Sequence, residues 1–443
     1  MVDIRDLGFR ADLLSKVSKQ ADAAELFWVT KQSTPVNFEA NNLKEIQSRE
    51  TSGIALRVIK DGKIGFSSTT NLDDLNVLIE NALSISSFGP AAKLEFPRKM
   101  SYRSLEVFDS QISQVSTEDL ASYGQILIDG AINYWPEVSW DATVSKTEVT
   151  IGLMNTNGCI GEYKKSIFGM SLNGELIRGT DMLFVWDGYS SCKVESLIDG
   201  VVTSVSEQLE LATNTVPAPV GNLPVLFTPE AVASVLLSPI LAGLNGKSVL
   251  QGSSPLINKL GEKIVDARFS LTDDPLIGMA SGSRIFDDEG VASKKVPLLV
   301  KGIVTNFLYD LQTAALANVY TTASAERSLG TPPSPGSAML VVDEGDTPKD
   351  EIIKSIDNGL LVHGLLGAGQ GNMLGGDFKA NILLGYKIER GEIVGRVKDT
   401  MISGNTYTAL NNLIDISDKA EWVGGSLLTP FICCGGISVA SSK

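Results

Sequence analysis

Histidine occurs once in the 443 residues, at His363. A zinc centre built on two or three imidazoles is therefore beyond this chain alone. A Ser–His–acid triad would need the same residue, and no G-x-S-x-G elbow is present to supply its nucleophile. His363 lies in the apolar run GLLVHGLLG and reads as a packed strand residue. Cysteine is scarce too: Cys159, Cys192, Cys433 and Cys434 show no C-x-x-C spacing. The adjacent pair in FICCGGISVA reads as small buried thiols in a reduced compartment. Long apolar runs are absent, since no window reaches the roughly 18 residues of a membrane span. The start, MVDIRDLGFRADLL, carries acids where a secretion signal needs a basic and then apolar stretch. A cytoplasmic protein without membrane attachment is expected. Basic residues are in deficit, 37 against 52 acidic, for a net charge of −15. That field repels phosphate backbones and no Lys/Arg cluster offsets it, so nucleic acid is disfavoured as a partner.

What is present is an ordinary globular composition, 43% hydrophobic and 20% charged, long enough for two or three cores at about 150 residues each. IRDLGFRADLLSKVSKQ has helical spacing at Leu7, Leu13, Leu14 and Val17. ELFWVTKQ and STPVNFEANNLKEIQSRE read as strands. SGIALRVI and IGFSST flank Asp61-Gly62 as a hairpin. A helix follows with capping-box spacing at Thr70 and Asp73 and an apolar face at Leu75, Leu78, Ile79, Ala82 and Leu83. After the proline-punctuated stretch 88–99, a helix opens at Ser116-x-x-Asp119. Several strands then turn at Asn157-Gly158 and Asn173-Gly174, and VESLIDGVVTSVSEQLELA closes the region as a helix. The recurrence of helix, strand meander and helix fits a diverged duplication. TNTVPAPVGN (213–222) reads as a domain boundary.

The expected fold class is α+β. An N-terminal region of helix–strand-meander units occupies 1–215, with sub-units 1–90 and 100–212. A β-rich domain follows at 222–443.

Three stretches offer chemistry. Asp287, Asp288 and Glu289 precede Gly290; oxygen ligands of this kind suit a divalent cation, but consecutive side chains diverge, and a charged turn is favoured. GLLGAGQGNMLGGD (364–377) fails both nucleotide-loop registers; its small residues, Gly369 and Gly371 among them, either let another chain approach or simply turn. Arg327, before a stiff proline-rich turn, suits a carboxylate clamp, with a local salt bridge the favoured use. In LFTPEAVASVLLSPI, Pro229 fits the first helical position and Glu230 the positive end of the helix dipole. Helix starts tend to lower a carboxyl pKa, which would make Glu230 a poor base.

ETSGIALRVIKDGKIGFSST, FDDEGVASKKVPLLVKGIVTNFLYDLQTAALAN, and GGDFKANILLGYKIERGEIVGRVKDTMISGN with the closing strand resemble, in order, the TldD/PmbA family. The resemblance runs from about residue 20 to 440. The family is classed with metallopeptidases and was historically called modulator of DNA gyrase. Its TldD branch is implied to carry His-Glu-x-x-x-His on a helix, with a later cysteine completing a zinc site. On this chain the two histidine positions fall on Pro229 and Ser234, and only the acid, Glu230, remains. SDKAEWVGGSLLTP holds no cysteine, and the GGDF block is more similar to the TldE/PmbA branch.

The resemblance implies a subunit without catalytic residues or zinc of its own, acting in proteolysis of unfolded or short peptides. Zinc is expected only in a TldD-like partner, within a heterodimer; the alternative assembly is a homodimer. Arg327, Gly369, Gly371 and Asp377 are candidate lining for a peptide chamber. Other readings are a stand-alone hydrolase using Glu230 with Asp287 or Asp288, and a peptide-binding scaffold without catalysis.

Overall fold

The computed structural model describes residues 6–441. Period-two alternation builds its first half. In β1 (Ala23–Glu39) Leu26, Trp28, Val36 and Phe38 point to one face, while Phe27 and Val29 point to the other. β2 (Asn42–Ile46), β3 (Arg49–Lys60) and β4 (Lys63–Thr69) follow, and then β5 (Ser139–Asn155), β6 (Ile160–Arg178) and β7 (Asp181–Ser191). They form one seven-stranded antiparallel sheet in the order β4-β3-β1-β5-β6-β7, with β2 also on β1. Asp61 and Gly62, with φ of 51° and 71°, make the expected tight hairpin turn.

Four helices cover one face of this sheet. α1 (Leu7–Ser18) and α2 (Leu75–Ser86) lay Leu13, Val17, Leu78 and Ile79 over Leu26, Trp28 and Ile54. α3 (Thr117–Tyr134) and α4 (Ile198–Leu211) cover Trp140, Val144 and Phe168. Helix, strands and helix thus recur in each half, and β1 pairs with β5 over Glu25–Phe38 to merge the halves into one sheet.

Two local expectations are corrected. Asn173-Gly174 is no turn: β6 runs through it unbroken, because a Cβ at Gly174 would lie 2.5 Å from the Trp140 ring. The glycine is there for close packing. α2 begins at Leu75 with Asp74 as its cap, not at the Thr70–Asp73 pair. Thr69 and Asn71 instead close a local turn that delays the helix.

The second half, 221–441, is an eleven-stranded sheet. β8 (Gly221–Phe227) pairs in parallel with strand Asn358–Leu366 and antiparallel with strand Leu427–Ser441. The path through Asp377–Glu389 and Thr400–Asn405 joins those two partners, so five strands close into a ring. On one side of the ring strands Val225, Phe227 and Val362 pack against a helical segment, residues 229–244; on the other Leu226, Leu361, Tyr386 and Phe431 meet α4. α4 is therefore shared by both sheets. The architecture is α+β. No helix among the described residues is long and apolar enough to cross a membrane.

Candidate functional site

The parallel register Phe227↔Val362 sets the site. One residue beyond Val362 stands His363; just beyond Phe227, Thr228 caps a helix that starts with Pro229. The Thr228 amide donates to the Val362 carbonyl at 3.0 Å, pinning the helix start to the neighbouring strand. Glu230 Oε2 and His363 Nδ1 are consequently 3.7 Å apart. The imidazole lies 4.9 Å from the Trp186 ring, an approach that Gly364 permits, since a Cβ there would sit 2.1 Å from the indole.

Thr228, Pro229, Glu230 and His363 help wall a cavity of about 720 Å³ between α4, β7, the helix start and strand Leu413–Val423. Six carboxylates line it, Asp187, Asp199, Glu207, Glu230, Asp350 and Glu421, against one ammonium, Lys349. Burial lowers the His363 pKa to about 4, so the ring is neutral at physiological pH; Asp187 pulls weakly the other way. Burial raises the Glu230 carboxyl against hydrogen bonds from its own amide and the Thr228 hydroxyl. This corrects the lowered value expected from the helix start: desolvation outweighs the dipole. Asp187 is raised likewise, with the charge of Glu230 adding to the effect. His363 Nε2 is buried without a hydrogen-bond partner. A neutral imidazole beside a carboxyl of raised pKa can exchange a proton with a bound group or hold a polar one.

The helical segment carries a π-turn at Val232–Leu237 between α-helical Pro229–Ala231 and Ser238–Leu244. Such turns shift the side chains that follow by part of a turn. Ser234 is exposed, its hydroxyl donating to the Ala231 carbonyl at 3.2 Å, and it is outside the cavity wall.

Other residues singled out in the sequence lie elsewhere. Asp287–Gly290 is a turn as expected, closed by the Gly290 amide on the Asp287 carbonyl at 2.9 Å, but Asp287 and Glu289 within it are fully buried. Asp287 accepts from the Glu289, Val291 and Ala325 amides, and Glu289 from Arg57 Nη1 and the Leu311 amide, both at 2.6 Å. Arg57 also reaches Glu25 at 3.0 Å, and Arg327, itself buried, reaches Glu25 at 2.6 Å. Burial raises Asp287 and Glu289, while Arg284 and Arg57 respectively pull them down. Arg327 is thus part of a clamp joining β1 and β3 to loops of the second half. Gly369 and Gly371 sit on an exposed loop, and exposed Asp377 opens the strand that follows it; none of the three lines the cavity. Neither Asp287 nor Asp288 lines the cavity that holds Glu230.

Residues 220–441 match the family model for the PmbA/TldA metallopeptidase C-terminal domain, and residues 24–86 that for PmbA/TldA metallopeptidase domain 1. The chain belongs to the PmbA/TldD family. It is 25% identical to a metalloprotease of Methanothermobacter thermautotrophicus, over 92% of this chain and 90% of that one. It is 24% identical to a protein of Methanocaldococcus jannaschii, over 94% and 96%. The crystal structure of TldE from Thermococcus kodakarensis superposes with a TM-score of 0.88 at 23% identity, covering 98% of this chain and 100% of that one, a likeness of fold.

The PmbA/TldD connection raises the question of zinc, which takes three or four ligands at about 2.0–2.3 Å. The residues here do not fit it. Pro229 has no donor atom, Ser234 faces out, and Glu230 with His363 supplies two groups only. Among the described residues no cluster of three or more His, Cys, Asp or Glu side chains is placed to hold a metal. Cys433 and Cys434 lie on opposite faces of their strand, one against α4 and one in the second core.

Sequence reading missed Asp187, Glu207 and Glu421, and took His363 for packing alone. The available signal was parity: His363 shares the face of Leu361, which lies between the two sheets, rather than that of Leu360 and Val362 in the second core.

Proposed function

We propose that this chain is a metal-free, TldE/PmbA-like subunit of a two-component metallopeptidase that degrades unfolded or short peptides. The catalytic zinc belongs to a TldD-type partner. The reading is carried by one observation: the helix at the family's ligand positions presents Pro229 and an outward Ser234, leaving Glu230 without a metal to serve. Elemental analysis of the purified chain should give no stoichiometric zinc. Peptidase activity on an unfolded substrate should appear only when an H-E-x-x-x-H sibling is added. Stoichiometric zinc, or metal-dependent cleavage by the chain alone, would refute the proposal.

The Glu230–His363 contact favours a second reading, a hydrolase acting by carboxylate chemistry without a partner. Under it, Glu230→Ala abolishes activity of the isolated chain. Under the first, that substitution leaves the partner's zinc chemistry in place.

A further inference from the structure

We infer that the cavity between α4 and the Glu230 helix is a recognition site for the cationic group of a peptide, an N-terminal ammonium or a lysine side chain. This rests on the peptide-handling reading above and specifies its substrate class.

Charge is the first ground. Six carboxylates face one lysine and a neutral imidazole, so the wall focuses negative potential into a confined volume. Asp187 and Glu230, at its floor, form no salt bridge with any lysine or arginine among the described residues, and each is disfavoured by burial. A bound cation offsets that cost, whereas an anion deepens it.

Aromatic surface is the second. Tyr386, Trp422 and Phe431 line the same space. Lys349 holds its ammonium 5.3 Å from the Phe431 ring centroid, an instance within this wall of a primary ammonium set on an aromatic face.

Volume decides the kind of cation. The carboxylates are dispersed around about 720 Å³, within the range of organic-ligand sites, and no three of them converge as a metal demands. β7 is the last strand of the first sheet, and its residues 187–189 line the cavity; Gln208 of α4 takes the Trp186 amide and carbonyl beside them, so this wall offers side chains rather than free backbone.

Fluorescence anisotropy on the full chain tests the inference. The probes are four octapeptides of one Gly/Ser/Ala background, labelled at the C-terminus. One has a free N-terminus and no lysine; one is N-acetylated without lysine; one is N-acetylated with a central lysine; one is N-acetylated with norleucine in its place. At least one cationic probe should bind about ten-fold or more tightly than the uncharged ones, and whichever does identifies the source of the charge. Asp187→Asn and the rim variant Glu421→Gln should each erase most of that preference without altering the uncharged probes. Thermal melts establish that both variants fold, and Glu421, at the rim, leaves an informative variant should Asp187→Asn misfold. Equal binding of all four probes, binding of none, or a preference that survives the substitution in a folded variant overturns the inference. Activity of the chain mixed with its zinc sibling is measured separately. Activity without charge preference sinks only this site; charge preference without activity sinks only the subunit role.

Discussion

The 3.7 Å contact between Glu230 and His363 makes the residue scale unusually easy to probe, because the chain has one imidazole. Two-dimensional NMR of the ring nitrogens should show a single titration near pH 4, with the ring neutral at pH 6; a midpoint near 6.5 would contradict the buried geometry. The unfolded imidazole titrates near 6.5, so between those values the unfolded state binds more protons. Stability contributed by His363 is therefore complete above about pH 6.5 and declines toward pH 4, by on the order of 3 kcal/mol. Glu230 has the opposite sign. Its folded pKa is raised, so the penalty grows as pH climbs past the ordinary carboxylate range. Glu230→Gln should accordingly leave stability at pH 8 unchanged or higher by up to about 1 kcal/mol, read from urea unfolding. A loss of several kcal/mol would mean that its carboxylate is held by interactions other than those seen.

At the scale of elements, two helix starts with similar spacing make an internal comparison. Ser116 and Asp119 form a complete capping box at α3, each bonding to the other's backbone amide. Thr70 and Asp73 do not cap α2, whose start is held by Asp74. Ser116→Ala should cost about 1 kcal/mol, whereas Thr70→Ala should stay within about 0.5 kcal/mol, both by thermal unfolding. The pair also shows what was legible in the sequence. Local chemistry that closes on itself could be read: the Asp61-Gly62 hairpin, the Ser116 box, the proline start of the Glu230 helix. What depended on distant side chains could not. Asn173-Gly174 has turn composition, yet Trp140 claims the glycine. Glu230 has a helix-start position, yet burial against another strand reverses its pKa. The pairing of Glu230 with His363 follows from a parallel register between strands more than 130 positions apart in sequence, which no local pattern encodes.

For the molecule as a whole, the clamp of Glu25, Arg57, Glu289 and Arg327 carries the main consequence. It joins residues from β1 and β3 to loops of the second half, all deeply buried. Removing one member strands its partners' charges away from water. Arg57→Ala, which loses contacts to both Glu25 and Glu289, should destabilise by about 3–5 kcal/mol in equilibrium denaturation, with both halves melting together. Separate transitions would mean that the clamp does not couple the sheets. In the sequence Glu289 reads as part of a charged turn and Arg327 as a loop arginine, since nothing local reveals that residues 25, 57, 289 and 327 converge.

The adjacent thiols in the last long strand offer a clock for that coupling. Cys433 is sealed beneath α4 and Cys434 within the second core, and burial raises both pKa values. Neighbours joined by one peptide bond therefore answer to different openings. An alkylating pulse that marks Cys433 before Cys434 records α4 lifting from an intact ring. Simultaneous marking records the collapse of the whole chain, so a single tryptic fragment carries the history of how the protein comes apart.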